Sequence, residues 1–380
     1  MQITRRSFLK YLTAAAATMG LSQFELQKAM EALAKDGVPW RVVWISGQAC
    51  TGCTMALTTL NSTPGGASDP DGYNLGTFVP GYDTLADVAL TVIDIDAHET
   101  IQASAGDLAM DWLRPWSTAG EGAGGSLDAA VLVVEGAIPV DVFDPWGKDL
   151  SLVTGEDACT IGTIPAGFAG AGTEITAREA VVNYAQKVSA VISVGQCATY
   201  GGIPAAYSDA PDPVQDGAWS GAARGVQAAC SGVGGVPGGL DLMKNGGKLI
   251  NVPGCPPHPD WIYGTIVRLI LDLTGTPGGP YLSFDNVGRP TAYYGQTIHG
   301  PGSCPRNQDY HDGLLASRLG DKGCLAAIGC YGMSAHSDCA KRGWNSSRLT
   351  LNKKIFCIEA GHPCIGCTEP GYPFKINTNG

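Results

Sequence analysis

Between positions 299 and 367 stand seven cysteines and a histidine spaced as candidate ligands for soft or borderline metals: His299, Cys304, Cys324, Cys330, Cys339, Cys357, Cys364 and Cys367. They fall into two sets of four. A third set lies earlier, with Cys50 and Cys53 in C-T-G-C, then Cys159 and Cys197. A C-x-x-C loop lets two thiolates grip one metal group, and two distant cysteines complete a four-thiolate shell. Gly52 permits the tight turn between them. The pair alone suits an iron–sulfur cluster, a zinc ion or a redox dithiol. The Cys3His set, and the set that ends in P-C-I-G-C, each suit zinc or iron–sulfur. Three groups of four point to three metal clusters, and three clusters in one chain point to a path for electrons.

Other reactive residues read more plainly. Cys230 and Cys255, the latter in a rigid P-G-C-P-P-H-P loop, are expected to be structural thiols. His311 and His336 read as surface or supporting residues. His98-Glu99 could form a local acid–base pair, but a packed, hydrogen-bonded pair is the simpler expectation. The chain has no G-x-x-x-x-G-K-[ST], no G-x-G-x-x-G opening a helix after a strand, no G-x-S-x-G and no H-E-x-x-H. Phosphate-loop, dinucleotide, serine-hydrolase and zinc-protease chemistry are therefore unsupported.

The chain has 380 residues, enough for two domains, and is 44% hydrophobic, enough to bury a core. Its 16% charged residues fall below the ~25% usual for globular proteins. A net charge of −11 argues against nucleic acid, because phosphates need basic patches. With 53 Gly and 24 Pro much of the chain must be loop, where clusters and cofactors commonly sit. Thirteen cysteines is an odd number, so a pure disulfide framework would leave one over.

The first residues match an export signal. Thr4-Arg5-Arg6-Ser7-Phe8-Leu9-Lys10 follows the twin-arginine pattern. Tyr11 to Leu21 is alanine-rich and too short to span a bilayer. Ala32-Leu33-Ala34 offers a cleavage site, which gives a signal peptide over 1–34 and a periplasmic location. Twin-arginine substrates cross folded, so metal groups can be inserted first in a reducing cytoplasm. The bland alternative is an ordinary amphipathic N-terminal helix. No later stretch reads as a span: Arg268 and Asp272 interrupt Ile262–Leu273.

The elements that must position these ligands alternate in type. Arg41–Ser46, Val88–Ile95, Leu127–Val134, Ala190–Val194 and Lys248–Val252 read as strands. A helix is expected near Thr54, another over Thr176–Val188 with Thr176 and Glu179 as a capping box, and a third over Asp260–Leu273. Alternation of this kind gives an α/β fold with a mostly parallel sheet, whose ligands gather beyond the carboxyl ends of the strands. Cys50, Cys53 and Cys197 follow strands directly, and Cys159 lies in the connection after the third. Gly/Pro-rich stretches at 61–81, 117–125, 144–172 and 204–239 read as insertions. The alternation fades after about 275, so the expected domains are 35–275 and 276–380, the second organised by its metals.

Several motifs in order resemble the small, electron-transferring subunit of nickel–iron hydrogenases. They are Gly47–Cys53 (GQACTGC), Asp96–Thr100 (DAHET), Glu135–Pro139 (EGAIP), Cys159–Gly162 (CTIG), Gly195–Gly202 (GQCATYGG), Pro253–Pro257 (PGCPP), Tyr294–His299 (YGQTIH) and Ala360–Cys367 (AGHPCIGC). The likeness covers nearly the whole chain. It implies a flavodoxin-like, doubly wound N-terminal domain and a small, irregular C-terminal domain built around clusters. It implies that Cys50, Cys53, Cys159 and Cys197 hold a proximal 4Fe–4S cluster. His299, Cys304, Cys324 and Cys330 would hold the distal 4Fe–4S cluster, and Cys339, Cys364 and Cys367 the medial one. The Cys of the P-G-C-P-P loop is not a ligand in that family.

Two departures from the family pattern bear on the clusters. Many relatives have Pro where this chain has Cys357, and carry a medial 3Fe–4S cluster. A fourth thiolate here implies 4Fe–4S, as in the nickel–iron–selenium branch, with a lower potential. His299 and Cys304 are separated by Gly300-Pro301-Gly302-Ser303, a longer chelate loop than the family's usual H-x-x-C. Position 52 is Gly rather than an extra Cys, as in the oxygen-sensitive type.

The resemblance implies a partner large subunit that holds the nickel–iron centre, and a cytochrome or membrane acceptor. No residue of this chain would break bonds. The main alternative is an iron–sulfur carrier subunit of a quinone-reductase-like or formate-linked complex. A third reading is a zinc- or disulfide-stabilised binding protein.

Overall fold

The structure, a computed structural model, describes residues 40–58, 93–101, 130–139, 159–164, 171–185, 188–206, 223–230, 248–275, 277–346 and 354–373. The export signal, the expected strand start at Val88 and most of the Gly/Pro-rich insertions lie outside them. The described residues form two compact units. One holds residues 40–56 and 93–257, the other Leu57, Thr58 and 258 onward.

The first unit is built on five strands: β1 (Trp40–Ser46), β2 (Ile93–His98), β3 (Ala130–Glu135), β4 (Ala190–Val194) and β5 (Lys248–Val252). They pair in the order β2-β1-β3-β4-β5, and every pair is parallel. A slip between Val42 and Val43 interrupts the β1–β2 register. β3 and β4 are mostly Val, Ile, Leu and Ala, β1 centres on Val42–Ile45, and all three bury side chains on both faces, as parallel strands require. Burying one such Val or Ile side chain contributes roughly 1.5–3 kcal/mol.

Helix α1 (Gly52–Thr58) starts inside the C-x-x-C loop, before the expected Thr54. Helix α2 (Ala177–Ala185) begins with the expected capping box. Thr176 Oγ1 accepts from Glu179 N at 3.1 Å, and Glu179 Oε2 accepts from Thr176 N at 3.0 Å. Its buried face joins Val43, Ile45, Leu132 and Val134 in one apolar cluster. Helix α3 (Gln196–Tyr200) leaves β4 through Gly195.

In the second unit helix α4 (Pro259–Leu273) is capped by the His258 side chain, which accepts from Asp260 N. Its Trp261 Nε1 donates to Asp338 at 2.7 Å, and Arg342 bridges Asp260 and Asp338. Helix α4 therefore belongs with the C-terminal segment, and the units divide at 257/258 rather than near 275. Beyond it lie short helical turns and one two-residue strand pair, Asn345–Ser346 with Lys354–Ile355. None of the described helices is long and apolar enough to cross a membrane.

Candidate metal centres

In the first unit the loop after β1 is pinned to the end of β3, and the loop after β4 to that of β5. Gly47 N donates to Glu135 O, Gly195 N to Val252 O, and Gln196 N to Gly254 O. These ties bring Cys50, Cys53 and Cys197 within electrostatic reach of each other. Burial, then Glu135, Cys197 and Cys50, pushes the Cys53 thiol well above its ordinary range. Cys197 is pushed up to about 12, first by burial and then by Cys255.

Two glycines shape this cradle. A Cβ on Gly195 would stand 2.3 Å from Cys53 Sγ, and one on Gly202 would stand 3.0 Å from Cys197 Sγ. Cys159 joins less directly. Its carbonyl accepts from Ala177 N at 2.8 Å, and its thiol is raised by burial and then by Glu99, whose carboxyl in turn feels Glu135. Cys255, expected to be a structural thiol, is only partly buried and faces Cys53 and Cys197. Cys230 is the buried thiol of the apolar cluster.

Beneath Cys53 lies a polar network of Glu135, Trp44, Thr54 and His98, of which Glu135 and His98 stand in the EGAIP and DAHET motifs. Glu135 is buried at the end of β3. Its Oε1 accepts from Cys53 N at 3.1 Å and Thr54 N at 3.2 Å, and its Oε2 accepts from Trp44 Nε1 at 3.0 Å and from the Thr54 hydroxyl. His98 stacks on Trp44 with ring centroids 4.7 Å apart. Its Nδ1 accepts from Thr100 N and Ile101 N, which leaves the ring proton on Nε2, facing Thr54 Oγ1 at 3.4 Å. His98 spends Nδ1 on the Thr100 and Ile101 amides, while burial, the larger influence, raises the neighbouring Glu99 carboxyl to about 7. A lone Glu closing the apolar run AVLVVE was the available sequence signal for this network.

In the second unit the longer loop after His299 closes on itself. Ser303 N and Cys304 N both donate to Gly300 O, and Ser303 Oγ donates to Ile298 O at 3.1 Å. His299 N donates to Gly332 O at 2.8 Å, which sets His299 beside Cys330. A Cβ on Gly332 would meet Cys330 Sγ at 3.5 Å and His299 Cβ at 3.7 Å. Cys324 is tied to Leu314 and Ala316 through backbone bonds, and Cys330 follows the turn Leu325–Ile328. Burial raises the Cys304 thiol, and Cys330 and Cys324 add to the effect. His299 Nε2 is buried and has no hydrogen-bond partner among the described residues. Burial, then His311, holds this imidazole below its ordinary range, in its neutral, metal-binding form.

The last set adjoins this one. Cys339 opens the turn Cys339–Arg342, and Trp344 N donates to Ile355 O, on the strand that leads to Cys357. Burial pushes Cys339 up to about 11 and Cys364 up to about 12. Cys357 raises both, and Cys339 adds to the effect on Cys364. Cys364 N donates to Cys330 Sγ at 3.3 Å, which links the two sets. Cys367 is partly buried three residues on. Among the described residues no three His, Cys, Asp or Glu side chains converge tightly enough to chelate one ion.

The donor sets fit iron–sulfur clusters on three counts. Buried thiols raised by burial and by one another gain most from cationic metal. The glycine cradle leaves room against two sulfurs. The orphaned His299 nitrogen awaits an electron-pair acceptor.

Known proteins resemble this chain along most of its length. A family model for the C-terminal part of the NiFe/NiFeSe hydrogenase small subunit matches residues 294–379. A model described as the NADH ubiquinone oxidoreductase 20 Kd subunit matches residues 77–269. The periplasmic NiFeSe hydrogenase small subunit of Desulfomicrobium baculatum is 31% identical, over 98% of this chain and 97% of that protein. The periplasmic NiFe hydrogenase small subunit of Solidesulfovibrio fructosivorans is 31% identical, over 97% of this chain and 90% of that protein. The structure of the H2-activated Dm. baculatum NiFeSe hydrogenase superposes with a TM-score of 0.62, covering 88% of this chain and 96% of that one. With that identity over nearly the full length of both chains, this protein belongs to the small-subunit family of NiFe and NiFeSe hydrogenases.

Proposed function

We propose that this chain is the electron-transfer small subunit of a periplasmic hydrogenase, paired with a large subunit that holds the nickel–iron site. The observation that carries the reading is the gathering of Cys50, Cys53 and Cys197 at the carboxyl ends of parallel strands, over a buried acceptor, in a chain of this family. The strand order β2-β1-β3-β4-β5 agrees with a flavodoxin-like domain. Cys50, Cys53, Cys159 and Cys197 would hold the proximal 4Fe–4S cluster. His299, Cys304, Cys324 and Cys330 would hold the distal cluster, and Cys339, Cys357, Cys364 and Cys367 a medial 4Fe–4S cluster. When bound, the three clusters would supply one-electron steps between the partner's nickel–iron centre and an external cytochrome or membrane acceptor.

The chain's own residues bind and orient. Glu135 holds the Cys53 and Thr54 amides, so the C-x-x-C loop is fixed before any metal arrives. Gly195 keeps backbone bulk away from Cys53 Sγ. Burial of Cys304, Cys324, Cys339 and Cys364 keeps water from the sulfurs. Export folded, by the twin-arginine signal at Arg5-Arg6, would deliver a metal-loaded chain to the periplasm.

The match of residues 77–269 to the 20 Kd subunit family favours a second reading, a quinone-reductase-like carrier. The eight C-terminal ligands and the 294–379 match weigh against it. Iron and sulfide analysis decides: about twelve irons per chain are expected for three four-iron clusters. The co-purified complex should reduce a dye with hydrogen. A colourless chain, or one with about four irons, would sink the proposal.

A further inference from the structure

Cys339 Sγ accepts two side-chain hydrogen bonds. Ser337 Oγ donates at 3.1 Å and Trp344 Nε1 at 3.4 Å. Neither donor can turn away easily. Ser337 is buried. The Trp344 backbone is bonded to Ile355 O at 2.8 Å, and the two residues after it pair with Lys354–Ile355. The indole packs edge-on against His258 at 5.2 Å and Trp261 at 5.9 Å. An indole N–H donates and never accepts, so the polarity of this contact is fixed. The pairing that seats Trp344 also carries the chain into Cys357.

We propose that Trp344 and Ser337 are positioning residues that raise the reduction potential of the medial cluster through their hydrogen bonds to Cys339. The inference rests on the medial-cluster reading above and deepens it. A donor on a ligand sulfur draws off negative charge. The reduced cluster carries one more electron than the oxidised one, so the bond stabilises the reduced form more, and the potential rises. Gly366 N, 3.5 Å from Cys364 Sγ, acts with the same sign. These donors oppose the lowering that a fourth thiolate at Cys357 brings.

The test is W344F in the complex isolated with its large subunit, with each cluster titrated by electron paramagnetic resonance at controlled potential. Phenylalanine keeps an aromatic ring against His258 and Trp261 and removes the donor, together with part of the indole's volume. The medial midpoint should move to lower potential while the proximal and distal midpoints stay, with iron unchanged at about thirteen per heterodimer, twelve in this chain's clusters and one in the partner's nickel–iron site. S337A should shift the same midpoint in the same direction, and it carries the test if the Phe variant loses iron. A purely structural role would leave the midpoint where it was. Medial midpoints unmoved or raised in both variants, with iron retained, would overturn the inference and leave the cluster reading intact. A wild-type complex with about nine irons per heterodimer and no medial signal would overturn the cluster reading itself.

Discussion

Glu135 and Trp44 lie 91 residues apart in sequence and are joined by a 3.0 Å hydrogen bond from the indole to the carboxylate. The same carboxylate accepts the Cys53 and Thr54 amides, so one buried side chain ties β1, β3 and the first ligand loop together. Glu135→Ala would leave three buried N–H donors without their acceptor, each worth roughly 1–3 kcal/mol. The expected loss is about 3–5 kcal/mol of stability, read from thermal or urea unfolding. Iron should drop from about twelve to about eight per chain, as the proximal cluster fails to load. Glu135→Gln keeps one acceptor oxygen and should fall between the two. An alanine variant that is fully stable and fully loaded would remove Glu135 from this role.

Gly195 gives a second test of the same loop. It sits at φ +89°, and a Cβ there would stand 2.3 Å from Cys53 Sγ. Gly195→Ala should therefore abolish the proximal cluster's spectroscopic signal and spare the other two. Gly172 makes the control, because its φ is +85° and nothing lies within 4 Å of its would-be Cβ. Gly172→Ala should cost only the left-handed backbone strain, about 1–2 kcal/mol, with iron unchanged. Equal iron loss in both variants would point to strain rather than the clash.

Much of the first unit was legible because its signals are local. Ala190–Val194 ends at Gly195 and Lys248–Val252 follows Gly246-Gly247, and both mostly apolar runs form strands over those very residues. Thr176 and Glu179 form the capping box that their spacing announces. The polar anchor under Cys53 was not legible. Trp44, His98 and Glu135 each sit on a different strand, and only tertiary pairing in parallel register brings them to one point. Helix α4 also misled. Its apolar face reads as the last helix of the sheet domain, yet Trp261 and Asp260 bind Asp338 and Arg342, partners that lie far downstream. The twelve candidate ligands stood out by type and spacing, and their assignment to three clusters is the proposal made above. The donors to Cys339 were not, since Ser337 and Trp344 carry no motif.

His98 should make the stability of the first unit fall with acid. Burial, the larger influence, lowers its pKa from 6.5 to about 4. Between those values the unfolded chain binds a proton that the folded chain refuses. Stability is therefore full above about 6.5 and lost as pH falls toward about 4, by roughly 3 kcal/mol. Protonation would also place a hydrogen on Nδ1, which now accepts from Thr100 N and Ile101 N. Unfolding free energies of wild type and His98→Gln, measured across that window, should converge as pH falls. Parallel curves would show that His98 does not titrate in this way.

Cys357 separates a four-iron from a three-iron medial site. Its thiol, on an exposed residue, is raised by desolvation and then by Cys330 of the neighbouring set, and it raises in turn Cys339 and Cys364, so its sulfur lies within electrostatic reach of both sets. Its carbonyl is held by His362 N at 2.8 Å, which fixes the loop independently of the thiol. Cys357→Ser should therefore keep the loop and weaken one corner of the cluster. Iron should fall from about twelve to about eleven per chain, while the proximal and distal signals persist. The oxidised medial site should become paramagnetic, as an odd-iron cluster is and an oxidised four-iron cluster is not. Its potential should rise, because the change of cluster type outweighs the unchanged bonds at Cys339. Were Cys357 merely a thiol on an exposed turn, serine would leave the iron count, the spectrum and the potential as they are in the wild type.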